Sequence, residues 1–118
     1  MKIALDFDNC FTLDPDLWID FVHLAKAHGH EVRVVTGRDD RYDRTTPLTI
    51  VENILPVIYT RGMAKRWYVE RFAPDFPVDV WIDDLPERIL ENSPTSPEAL
   101  AEWRATRPDG QHVGDLPC

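Results

Sequence analysis

Short apolar runs alternate with segments of helical periodicity along this chain, and that alternation constrains its fold more than any other feature. The runs fall at residues 2–5, 31–36, 57–60 and 78–82. After the first, Asp14-Pro15-Asp16 supplies a helix start: a capping carboxylate, a proline suited to the first turn and an acid at the positive helix end. Leu17, Phe21, Leu24 and Ala25 recur at helical spacing behind it, and Gly29 is a natural stop. Thr46-Pro47 repeats the cap-plus-proline signal ahead of Leu48, Val51, Ile54 and Leu55, and Pro56 ends that helix. Further helices are predicted over 63–72 and 86–91. Strands separated by helices predict a three-layer, Rossmann-like α/β fold on a small parallel sheet of about four strands.

The 118 residues, 43% of them hydrophobic, suit one domain with a modest core. No run of 18 apolar residues exists, so no membrane span is expected, and the apolar run at the start is too short for a signal peptide. A cytoplasmic protein is the default. Residues 93–118 change character, holding four of the ten prolines, Pro94, Pro97, Pro108 and Pro117. A last helix is expected at about 97–105, with Leu100 and Trp103 toward the core, followed by a tail. The expected organisation is therefore a core over 1–92 and an appended segment over 93–118. Cys10 and Cys118 form no CxxC and no Cys/His cluster, and His23, His28 and His30 have no partner at a metal-binding spacing, so no zinc site is expected.

Open parallel sheets bind ligands beyond the carboxyl ends of their strands. Polar residues stand at three such ends: Asp6 and Asp8, then Thr36, then Asp83 and Asp84. Four carboxylates brought together by neighbouring strands repel one another strongly in a partly dry cleft. One lysine does not balance them; a divalent cation does. All-oxygen donors select a hard ion such as Mg²⁺, which keeps several waters and recruits substrate phosphate. A metal–phosphate site is expected on charge balance alone.

The order of these features resembles the haloacid dehalogenase-like hydrolase superfamily. Ile3-Ala4-Leu5-Asp6-Phe7-Asp8 is similar to its first motif, Val34-Val35-Thr36-Gly37-Arg38 to its second, Lys65 to its third and Trp81-Ile82-Asp83-Asp84 to its fourth. The size and layout are similar to the small phosphatase-type members found in phage genomes. The resemblance implies that Asp6 is a nucleophile forming an aspartyl-phosphate and that Asp8 is the acid/base. It implies that Thr36 hydrogen-bonds the phosphoryl oxygens and that Lys65 offsets the charge on Asp6 and the phosphate. It implies Mg²⁺ held among Asp6, Asp8, Asp83 and Asp84, with Asp8 also offering its backbone carbonyl. Asn9, Gly37, Arg38, Arg41 and Arg44 are the expected substrate-binding residues. The chain departs from the family where Gly-Thr usually follows the second aspartate: Asn9-Cys10 stands there. Asn tolerates the left-handed backbone that Gly supplies.

Only 27 residues separate Asp8 from Thr36, and the stretch from Arg38 to Lys65 holds one helix and one strand. Neither leaves room for the cap domain that family enzymes often insert. An open site suits a bulky substrate such as a phosphorylated nucleic-acid end, or a nucleotide if oligomerisation closes it. The formal charge of −8 argues against a stable complex with nucleic acid. Yet Arg38, Arg41, Arg44, Arg61, Lys65 and Arg66 are 6 of the 13 basic residues, within 29 positions, and predict a basic rim that attracts a phosphorylated substrate. Tyr42, Trp67, Tyr68 and Phe72 are candidates to stack on a base. The expected function is a Mg²⁺-dependent phosphomonoesterase acting on a nucleotide or a phosphorylated nucleic-acid end. The competing expectation is a catalytically weak module that binds a phosphorylated partner or nucleic acid. A receiver domain is set aside because Tyr59-Thr60-Arg61 ends the third strand without an aspartate, and a P-loop enzyme because GxxxxGK[ST] is absent.

Overall fold

The computed structural model describes residues 1–92, so the expected helix at 97–105 and the tail lie outside the described residues. The elements run β1 (Lys2–Leu5), a 3₁₀ turn (Phe11–Leu13), α1 (Pro15–Ala27), β2 (Glu31–Thr36), α2 (Thr46–Glu52), β3 (Val57–Tyr59), α3 (Lys65–Phe72), β4 (Val80–Ile82) and α4 (Glu87–Leu90). The four strands pair in parallel in the order β3-β2-β1-β4. This is an α/β fold compatible with a Rossmann-like arrangement. Only the 3₁₀ turn and α1 lie between β1 and β2, and only α2 and β3 between β2 and α3. Among the described residues no helix is long and apolar enough to cross a membrane.

Strand alternation sends side chains to two separate cores. Ile3, Leu5, Val32 and Val34 pack with Val22 and Ala25 of α1 and with Leu48 and Val51 of α2. On the other face Ala4 and Val35 pack with Val69 of α3 and with Phe76, which is fully buried. Arg33 also reaches that face, and its guanidinium lies 4.6 Å from the Phe76 ring centroid. Helices therefore cover both faces, as a parallel sheet requires.

The helix starts follow their local chemistry with two corrections. Asp14 caps α1 by accepting from the Leu17 N–H at 3.2 Å, and Gly29 ends the segment at φ 84°. The buried face of α1 differs from the Leu17/Leu24 stripe, since both leucines are exposed. Val22 and Ala25 face the sheet with Trp18 and Phe21 beside them, because the packing of the helix on β1 and β2 selects the face. The cap of α2 is Thr45 rather than Thr46, so Thr46 and Pro47 are its first two residues.

One topological consequence positions the site. The chain runs outward from β1 through β2 to β3, then returns across the sheet to place β4 on the other side of β1. Leu5 pairs with Ile82, and the Asp6 N–H donates to the Ile82 carbonyl at 2.9 Å. Asp6 and Asp83 thus leave the sheet at the same level, at the point where the strand order reverses, which is where open α/β sheets bind ligands.

Candidate active site

Beyond β1 the chain turns sharply. Asn9 adopts the left-handed conformation at φ 58°, and its N–H donates to Thr12 Oγ1 at 3.0 Å. The Phe11 N–H donates to the Asp6 carbonyl at 3.3 Å, folding the 3₁₀ turn back onto the strand end. Trp18 Nε1 donates to the Cys10 carbonyl at 2.9 Å and ties the turn to α1. Cys10 is buried beside the acids, and burial and then the Asp6 charge push its thiol pKa up, which favours the neutral form. The turn aims Asp8 at Arg38, which follows β2. Arg38 Nε and Nη2 donate to the two oxygens of Asp8 at 2.8 and 2.7 Å, and Nη1 donates to the Asp43 carbonyl at 3.1 Å.

Lys65 is the first residue of α3 and is only 4% exposed. The helix begins after Ala64, which offers no side-chain cap. Asn92, from beyond α4, supplies the missing acceptor: its Oδ1 takes the Ala64 N–H at 2.7 Å. That buried amide anchors the helix end that delivers Lys65. Lys65 Nζ then bridges two strand ends, donating to Asp6 Oδ1 at 2.8 Å and to Asp83 Oδ2 at 2.5 Å. The second oxygen of Asp83 accepts from the Leu85 N–H at 3.0 Å. Each Asp83 oxygen thus accepts a hydrogen bond from the protein.

Burial pushes the Asp6 pKa up to about 7; Lys65 pulls it down, while the Asp84 and Asp83 carboxylates push it up further. Burial is the largest of these influences, and the acids on the β4 side add to it. Asp6, Cys10 and Asp84 each offer a donor atom, and these atoms lie within 4.8 Å of one another, a span compatible with one shared ion. The donors comprise two hard carboxylates and one buried thiol.

A cleft of about 470 Å³ opens at the carboxyl ends of the strands. Of the residues singled out in the sequence, Asp6, Asp8, Asn9, Gly37, Arg38, Lys65, Asp83 and Asp84 all meet in its walls. Thr36 does not. It is fully buried, and its hydroxyl accepts from the Arg38 N–H at 3.3 Å, so it acts on the backbone that carries Arg38. Arg41 and Arg44 are also absent from the lining. Arg41 Nη2 pairs with Asp39 at 2.8 Å and Arg44 Nη2 with Glu52 at 2.6 Å, because the loop after β2 folds on itself and α2 presents its acid outward. Arg61 pairs with Asp40 and Arg66 with Glu70, so each of the six cations expected to form a basic rim lies beside a carboxylate, and of the six Arg38 and Lys65 line the cleft. Tyr42 stacks beside the Arg41 guanidinium, and Phe72 packs against Trp67 and Tyr68; none of these rings reaches the cleft.

Sequence reasoning passed over Asp43, Met63, Arg88 and Glu91, which also line the cleft. They come from a loop, a turn and a short helix with no motif of their own. Asn92 was passed over as well, since its partner Ala64 stands 28 residues away. Compared with known proteins, the chain matches no family model, no curated protein and no solved structure.

Proposed function

We propose that this protein is a Mg²⁺-dependent phosphomonoesterase of the haloacid dehalogenase-like type, working through an aspartyl-phosphate on Asp6. The observation that carries this is the bridge from Lys65 Nζ to Asp6 and Asp83, in a cleft that Asp8 also lines. Lys65 occupies Asp6 Oδ1, which leaves Oδ2 as the attacking oxygen. In the first step an Asp6 oxygen forms a bond to phosphorus as the phosphorus–leaving-group bond breaks, and Asp8 gives a proton to the departing oxygen. In the second step water attacks the same phosphorus, Asp8 takes its proton, and phosphate leaves with Asp6 restored. Lys65 remains beside Asp6 and offsets the charge on the transferring group. Arg38 orients the Asp8 carboxylate by its two-pronged contact.

Of the three clustered donors, the Asp6 and Asp84 carboxylates are the hard oxygens that suit a divalent cation and are its candidate ligands, whereas the Cys10 thiol is not a donor such an ion selects. Such an ion, when bound, supplies positive charge against the phosphoryl oxygens. It would also relieve the mutual repulsion of Asp6 and Asp84. Hydrolysis of an aryl phosphate with and without Mg²⁺, by wild type and by Asp6→Asn, tests the proposal. Metal-dependent turnover lost in the variant is expected; turnover that survives in Asp6→Asn overturns it.

A further inference from the structure

The helix that carries Lys65 does not by itself settle where the ammonium sits. Lys65 stands in the first turn of α3, where the helix dipole disfavours a cation, and no acid offsets it in that turn. Ala64 before it supplies no side-chain cap. A lysine also has a long, flexible stem, so the position of its ammonium depends on how firmly the backbone beneath it is held.

The stretch from Asp83 to Asn92 takes hold of Lys65 at both ends. Asp83 Oδ2 accepts from Nζ at the tip of the side chain, at 2.5 Å. Asn92 Oδ1 accepts from the Ala64 N–H at 2.7 Å, one residue before the Lys65 backbone. Between these two grips the chain is stiffened by its own turns. The Leu85 N–H donates to Asp83 Oδ1 at 3.0 Å, the Arg88 N–H to the Leu85 carbonyl at 2.9 Å and the Glu91 N–H to the Glu87 carbonyl at 2.8 Å. Asn92 is 5% exposed, so breaking its bond to Ala64 would leave a buried polar group unsatisfied. It is not among the residues that line the cleft and therefore acts through Lys65 rather than on a ligand.

We propose that Asn92 is a positioning residue for phosphoryl transfer: by capping Ala64 it fixes the start of α3 and so holds Lys65 Nζ between Asp6 and Asp83. This rests on the phosphomonoesterase reading above. Loss of the amide frees the first turn of α3, and the ammonium no longer stays within reach of Asp6 Oδ1 and Asp83 Oδ2 together. A displacement of that kind slows the chemical step more than it weakens ground-state binding.

The test compares Asn92→Ala with Val22→Ala in the full chain, under conditions where both are folded. Val22 belongs to the core on the other face of the sheet from α3, so its loss destabilises the chain without touching Lys65. Lys2, Lys26 and Lys65 are the three lysines of the chain, and acylation of each is read from its own peptide by mass spectrometry. Lys65 is 4% exposed and should acylate slowly in wild type. Asn92→Ala should raise the Lys65 rate at least about tenfold over that in Val22→Ala, with Lys26 unchanged. On an aryl phosphate with Mg²⁺, kcat of Asn92→Ala should lie about tenfold below that of Val22→Ala, with KM within about twofold. A Lys65 rate no higher than in Val22→Ala overturns the proposal, as does a raised rate with kcat unchanged. If Asn92→Ala does not fold, Asn92→Ser, which withdraws the acceptor but keeps a polar group, takes its place under the same criteria. Absence of turnover in wild type removes the phosphomonoesterase reading alone, and the acylation rates then decide whether Asn92 holds Lys65.

Discussion

Arg38 grips Asp8 through both carboxylate oxygens, with Nε and Nη2 at 2.8 and 2.7 Å. The two residues lie 30 positions apart and meet because β1 and β2 are neighbours whose ends open on the same side. A planar fork fixes the plane of the carboxylate as well as its position, which a single point charge does not. Replacement of Arg38 by alanine should lower kcat for an aryl phosphate by roughly ten- to a hundredfold. Arg38→Lys should recover little of that loss, because the ammonium cannot engage both oxygens. Steady-state kinetics on both variants, with folding checked by circular dichroism, decides this. Full activity in Arg38→Lys would show that charge alone suffices.

The raised pKa of Asp6 makes a prediction about stability in metal-free buffer. The unfolded chain releases the Asp6 proton near the ordinary value of 3.8, whereas the folded chain holds it to about 7. Between those values the native state binds the extra proton, so its stability falls as pH rises across that window. Asp6→Asn lacks the titrating group. Its urea midpoint should gain on that of wild type between pH 5 and 8, by roughly a few kcal/mol in unfolding free energy. Parallel pH profiles for the two proteins would remove Asp6 as the source. Millimolar Mg²⁺ should restore wild-type stability at pH 8, by about 2.7 kcal/mol at a hundredfold excess over Kd.

Arg41 and Arg44 look alike in the sequence and should behave differently when removed. Asp39 is 1% exposed and accepts from the Arg41 side chain and the Arg41 N–H, and its partner holds its pKa below the usual carboxylate range. Arg41→Ala leaves that buried carboxylate short of a counter-charge and should cost about 1–3 kcal/mol. Arg44 pairs with Glu52 from an exposed position, and Arg44→Ala should leave the denaturant midpoint almost unchanged. Denaturant titration measures both. Neither substitution should change KM for a small phosphate ester by more than about twofold, since neither side chain lines the cleft; a large rise in KM for Arg44→Ala would return the rim to the site.

Much of the fold was legible because its signals are local. Asp14 before Pro15, the β-branched run in β2, and Gly29 after α1 each act within one turn of chain. The strand-end acids were legible for a related reason: a buried strand that ends in charge marks its own exit from the core. The buried face of α1 was not legible, since Leu17 and Leu24 fit a helical stripe as well as Val22 does, and contact with the sheet makes the choice. Nor was the fate of the arginines, because it depends on the path of the 37–44 loop and on an acid eight residues away. Asn92 acts on Ala64 across 28 residues, a relation that no short window contains.

The alliance of β1 with β4 also dictates an order of events. Asp6 leaves the ribosome well before Asp84, which follows only after most of the described chain between them has been made. Until the three-residue β4 docks beside β1, Lys65 has only one of its two carboxylate partners. The candidate site is thus a late product of folding, assembled by a pairing of high sequence separation. A nascent or truncated chain lacking β4 would display Asp6 without the acids that crowd it, so the constellation itself reports that the sheet is complete.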